Sequence, residues 1–146
     1  MHGFEAKDLV DTGAGFTIQR RDHLIGIDVE GVVDDAVSDA WRAALAAEMA
    51  RRGHPRFLAI DFSRCDPQNS MSTRYRTAAF ARENMKIIDW CVLLTGSSPG
   101  PLVVVRAVLR TLGLPNLQMT TDSKYFEKAI ERMIRGQRPP ADPSAI

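Results

Sequence analysis

The chain has 146 residues, 45% apolar and 25% charged, with a net charge of +1. That length suits one domain with a core that needs no disulfide or metal. The even charge balance offers no basic field for nucleic acid, and the most apolar run, Leu102 to Leu109, carries Arg106 and falls far short of the ~20 residues that span a bilayer.

Residues 1–14 read as an N-terminal lead-in without the apolar stretch of a signal peptide. Phe16 to Arg20 alternates apolar and polar residues, the period of a half-exposed strand. Arg21-Asp22-His23 makes a tight connection, and Leu24 to Glu30 alternates again, so an antiparallel hairpin is expected. Gly31 reads as the end of that strand. Asp34 or Asp35 can cap a helix whose Val37, Trp41, Ala44, Leu45 and Met49 share one face. Arg51 and Arg52 suit the negative end of its dipole, and Gly53 with Pro55 stops it.

Phe57 to Phe62 is a continuous apolar run broken only by Asp61, as in a strand covered on both faces. A polar loop is expected over Ser63 to Asn69, then a helix from near Ser70 or Ser72 to about Met85. Tyr75, Ala78, Ala79 and Phe80 are assigned to its apolar side, and Arg74, Arg76 and Arg82 to the other. Ile87 to Thr95 is a second buried strand, followed by a turn over Gly96 to Pro101. Residues 102–112 include three consecutive valines, yet Pro101 suits a first helical position and Gly113 a stop, so the assignment is helix. Asn116 to Thr120 is a short strand. Asp122 can cap a last helix with Tyr125, Phe126, Ala129, Ile130, Met133 and Ile134 on one stripe. Gln137 to Ile146, with three prolines, is expected to be a disordered tail.

The fold class is therefore α/β: an N-terminal antiparallel hairpin, then alternating strands and four main helices around a largely parallel sheet. One domain is expected over residues 15–136, between the lead-in 1–14 and the tail 137–146. Ligand sites in such sheets lie past the carboxyl ends of the strands. Here those are segments 63–73, 96–101 and 121–123.

Chemistry-bearing motifs are sparse. His2, His23 and His54 share no helix face and no metal-ligand spacing. Asp28, Asp61, Asp66 and Asp89 read as hydrogen-bonded carboxylates on or beside strands, Asp61 being notable for its apolar flanks. No Walker A, GxGxxG or GxSxG pattern is present, so no cofactor or metal is implied. Cys65 and Cys91 are far apart and read as free thiols, which points to a reducing, cytoplasmic setting. Gly96, Ser97 and Ser98 precede a helix start, whose free N–H groups can hold an anion. Segment 63–73 is the strongest candidate site. Ser70, Ser72 and Thr73 are candidates for phosphorylation at a helix N-terminus, and Arg64, Asp66, Asn69 and Arg74 for contacts with a partner or ligand.

The order of elements resembles the STAS-domain family, closest to the STAS/SEC14-like, sporulation anti-sigma-factor-antagonist-like proteins. The resemblance covers about residues 16 to 135. It rests on Leu24-Ile25-Gly26-Ile27-Asp28-Val29-Glu30-Gly31, on Phe57-Leu58-Ala59-Ile60-Asp61-Phe62, and on Thr120-Thr121-Asp122 leading into the amphipathic helix. In anti-sigma-factor antagonists a phosphorylated serine follows an aspartate just past the central strand, and Asn69-Ser70 stands at the matching place. Asn69 replaces that aspartate, and Met71-Ser72-Thr73-Arg74-Tyr75-Arg76 replaces a Gly-Leu-Gly-type continuation.

Three functions follow. The first is a non-enzymatic regulatory or signalling module, docking a protein partner through segment 63–73 and the next helix. The second is a carrier or sensor of a small anionic or lipid-like ligand held between segments 63–73 and 96–101. An enzyme using Asp61 or Asp66 with Ser70 ranks last, because no base stands beside the serine.

Overall fold

The computed structural model describes residues 1–68, 70–97, 106–107 and 110–142. Six strands form one sheet in the order β1 to β6: β1 (Leu9–Gly13), β2 (Phe16–Arg21), β3 (Leu24–Val33), β4 (Phe57–Pro67), β5 (Trp90–Leu94) and β6 (Leu117–Thr120). β1, β2 and β3 pair antiparallel; β3, β4, β5 and β6 pair parallel. The helices are α1 (Asp35–Arg52), α2 (Met71–Asn84), α3 (helical at 106–107 and 110–112) and α4 (Ser123–Ile134).

Alternating side chains divide the core into two layers. On one face, Ile25, Ile27, Leu58, Ile60, Cys91 and Leu93 pack under Trp41, Leu45 and Met49 of α1 and Phe80 of α2. On the other, Leu24, Phe57, Ala59, Trp90, Val92 and Leu94 meet Phe126, Ala129, Ile130 and Met133 of α4. Caps stand where the acidic residues suggested. The Asp34 carboxylate accepts from the Val37 N–H at 2.9 Å, and Asp122 accepts from the Lys124 N–H at 2.9 Å. Glu48 is fully buried on α1 and binds Arg51 (2.9 Å), Arg52 (2.6 Å) and, from β2, Arg20 (3.5 Å). Burial raises its pKa, but the arginines outweigh that and hold it below the ordinary value.

Five expectations are corrected. The lead-in is not separate from the domain: Leu9–Gly13 is an edge strand of the sheet, and a side chain on Gly26 would meet the Met1 sulfur and the Phe4 ring at 2.7 Å. Gly31 does not end β3. Its φ of 76° is absorbed within the strand, which runs on to Val33. The loop expected from Ser63 is strand as far as Pro67, because that β3 extension pairs with it, Val33 opposite Pro67. Tyr75 and Ala79 face outward on α2, whose inner face is made by Thr73, Phe80 and Ala81. The tail is ordered at least to Asp142, which is buried.

Candidate functional site

The extended β3–β4 arm decides where the candidate residues stand. Asp28 and Asp61 are opposite each other on neighbouring strands, and the register slips one residue beyond them so that Glu30 opposes Arg64. Such a bulge re-aims the side chains past it. Arg64 then reaches Glu30 at 2.9 Å, Asp28 at 3.4 Å and Asp61 at 4.0 Å. Asp61 also accepts from the Ser63 N–H at 2.8 Å and the Ser63 hydroxyl at 2.6 Å. These carboxylates are spent on Arg64, on the Met1 amino group (3.3 Å from Asp28) and on Ser63, and no metal-ligating cluster occurs among the described residues.

The arm closes where the Gln68 N–H donates to the Val33 carbonyl at 2.9 Å, and the Gln68 amide donates to Asp66 at the same distance. The chain then reaches Ser70, the N-cap of α2. Its hydroxyl oxygen accepts from the Thr73 N–H at 3.2 Å, satisfying one free donor of the first turn. Its own N–H donates to the Asp35 carboxylate, in the first turn of α1, at 2.7 Å. The amino ends of α1 and α2 therefore meet, and a groove between them is lined by Asp34, Asp35, Ala36, Gln68 and Ser70. The Ser70 N–H, then its hydroxyl, hold the Asp35 pKa below the ordinary value, with Thr73 and Arg76 adding to the effect. Two helix dipoles with positive ends here are answered by two carboxylates.

The three candidate hydroxyls differ in access. Ser70 and Ser72 are exposed, whereas Thr73 is fully buried. Arg76 donates to Ser72 at 2.7 Å and to Thr73 at 2.8 Å, and pairs with Asp39 of α1 at 3.4 Å. Arg74 is half-buried; Asp66 and Arg64 are exposed. Met71 and Tyr75 lie one helical turn apart and are 62% and 70% exposed, so α2 presents an apolar pair to solvent beside Ser70. Gly96 lies against the Ser63 carbonyl, and Ser97 is exposed. Asn69 and Ser98 lie outside the described residues, as does most of the 96–101 turn.

Sequence reasoning placed Ser70 at a helix start but missed its partner. In the sequence Asp35 stands only as an alternative cap for α1. The available signal was the doubled acid: one carboxylate caps, which leaves the other free to look outward. Cys65 is half-buried, and burial, then Asp61 and Asp66, push its thiol up to about 11. Cys91 is buried and its pKa is raised by that burial alone. Both thiols are free.

No family model and no curated sequence matches the chain. Solved structures do. The anti-sigma factor antagonist SpoIIAA in its unphosphorylated form aligns with a TM-score of 0.60 and 19% identity, over 83% of this chain and 98% of that one. The Bacillus cell fate determinant SpoIIAA in the phosphorylated form gives 0.57 and 22%, over 81% and 98%. An anti-sigma factor antagonist from Mycobacterium paratuberculosis gives 0.53 and 17%, over 80% and 92%. The fold is thus SpoIIAA-like, of the STAS type, as the sequence resemblance implied. No helix among the described residues is long and apolar enough to cross a membrane.

Proposed function

We propose that the chain is a non-enzymatic regulatory module that docks a protein partner through segment 63–73 and helix α2, with Ser70 as its point of control. The observation that carries this reading is the exposed Ser70 at the junction of two helix N-termini, adjoining the exposed pair Met71 and Tyr75. An apolar pair of this kind gains by burial against another surface, and an aromatic anchor beside arginines is a frequent centre of protein contacts. The similar structures lend support, because they include anti-sigma factor antagonists and SpoIIAA in both unphosphorylated and phosphorylated forms.

A phosphoryl group on Ser70 brings roughly two negative charges to a place where Asp34 and Asp35 already stand. The α2 N-terminus and Arg76 attract it; the two carboxylates repel it. The link between Ser70 and Asp35 is the contact that this repulsion strains, so modification changes how α2 sits against α1. The same carboxylates disfavour a small free anion in the groove between the two helix ends.

A photocrosslinking residue at position 75, compared with one at exposed Lys128 on α4, tests the proposal in the native host. The expected result is one protein adduct from position 75, none from 128, and loss of the first in a Ser70→Asp background. The same adducts from both positions would count against it.

A further inference from the structure

Ion pairs are unevenly spread over the chain. Every arginine before Ser70, from Arg20 to Arg64, has a carboxylate within 4.0 Å. Helix α2 and the short 3₁₀ turn after it, Met85–Ile87, break that pattern. Between residues 71 and 87 the only acid is Glu83, against Arg74, Arg76, Arg82 and Lys86. Arg76 pairs with Asp39, whereas Arg74, Arg82 and Lys86 make no ion pair among the described residues.

Helical periodicity puts Met71, Tyr75, Ala79 and Arg82 on one stripe. All four are exposed, while Thr73, Phe80 and Ala81 form the opposite, inner side. The stripe begins apolar beside Ser70 and ends cationic, with Arg82 about 10 Å along the axis from Tyr75. Lys86 and Ile87, both exposed, follow it. The dipole of α2 favours cations at its carboxyl end, but it leaves their outward charge unanswered. Helix α4 is built differently. There Glu127 and Glu131 alternate with the cations, and no large apolar side chain is exposed.

We propose that the partner docks an acidic segment on this stripe, with an apolar side chain against Met71 and Tyr75 and carboxylates against Arg82 and Lys86. The inference rests on the docking surface proposed above and adds the chemistry of its occupant. The apolar pair supplies burial, and the complementary charge sets orientation and association rate. A phosphoryl group on Ser70 has the same sign as such a partner, so modification works against docking. A membrane surface fits the stripe less well. Interfacial helices bury a broad apolar face, whereas α2 itself turns only Met71 and Tyr75 outward as large apolar residues.

The test places the photocrosslinker p-benzoylphenylalanine at position 79 of the full chain in the native host. The partner peptide attached to it is sequenced, synthesised with blocked ends and titrated against the purified chain. It is expected to carry an excess of carboxylates. Arg82→Glu with Lys86→Glu is expected to weaken its binding at least about tenfold at low salt, and by less at high salt. Lysines in place of the peptide's carboxylates are expected to restore binding to that double variant. Lys128→Glu with Arg132→Glu, the same charge change on α4, is expected to leave the affinity unaltered. All chains compared show native circular dichroism. A neutral or basic peptide, or an affinity that ignores both the double variant and salt, would overturn the inference and leave the docking surface standing. No protein adduct from position 75 or 79 would overturn both. Sedimentation of the unaltered chain with phosphatidylserine vesicles, lost in the double variant, would overturn the inference in favour of a membrane.

Discussion

The N–H of Ser70 donates to the carboxylate of Asp35 across 2.7 Å, joining the amino ends of α1 and α2 through two residues 35 apart in sequence. The same serine caps α2 with its hydroxyl. One residue thus closes a helix start and ties it to its neighbour, which makes both properties separable by substitution.

Ser70→Ala removes the cap oxygen and keeps the N–H link. A cap loss of this kind costs about 1 kcal/mol, which lowers the Tm of a chain of this size by about 3 °C. Ser70→Asp keeps a cap oxygen but sets a second carboxylate against Asp35. Adding Asp35→Asn to Ser70→Asp is expected to raise the Tm, whereas Asp35→Asn alone lowers it. A thermal-melt double-mutant cycle reads that change of sign.

Acid should loosen the same junction. Asp35 has a folded pKa below its ordinary 3.8, chiefly because the Ser70 N–H favours the carboxylate. A depressed acid stabilises the fold above its unfolded pKa and loses that contribution as the pH falls through the folded one. The contribution is thus complete above about pH 5 and is lost progressively as the pH falls below 3.8 toward the folded value. Urea denaturation at a series of pH values is expected to show a shallower acid decline for Asp35→Asn than for the unaltered chain.

Glu48 gathers Arg20, Arg51 and Arg52 about a fully buried carboxylate. Glu48→Ala leaves Arg20, itself only 10% exposed, without its acid. The expected loss is about 3 kcal/mol by urea denaturation, with Glu48→Gln costing less because it keeps an acceptor.

Thiol chemistry checks the packing behind β4. A shift of the Cys65 pKa from 9.0 to about 11 cuts its thiolate fraction at pH 8, and so its alkylation rate, by about a hundredfold. Cys91, buried in β5, is expected to react only on unfolding. Mass spectrometry of iodoacetamide-treated protein, with and without urea, distinguishes the two.

Elements with a strong period were legible in sequence. The alternation of Phe16 to Glu30 revealed the β2–β3 hairpin, and the stripe from Tyr125 to Ile134 revealed α4. What escaped depends on partners distant in sequence. Ser63 to Pro67 is polar and reads as loop, yet it is strand because Glu30 to Val33 extends beside it. Gln137 to Asp142 has the composition of a disordered tail, yet Trp90, Tyr125 and Thr120 each hold one of its groups. Tyr75 reads as part of the apolar side with Ala78, Ala79 and Phe80, but the buried side of α2 is made by Thr73, Phe80 and Ala81, and Tyr75 faces solvent. At the candidate site the hydroxyls and the helix start were visible, while Asp35 was not, because its role requires the two helix ends to converge.

The proposed docking surface is α2 beside Ser70, under the control of that serine. It is tested most directly by comparing the proteins that co-purify from the native host with four forms of the chain: unaltered, Tyr75→Glu, Ser70→Asp and Lys128→Glu. The expected result is one protein retained by the unaltered and Lys128→Glu chains and lost from both Tyr75→Glu and Ser70→Asp, with all four showing native circular dichroism. The same proteins bound by all four chains would contradict it.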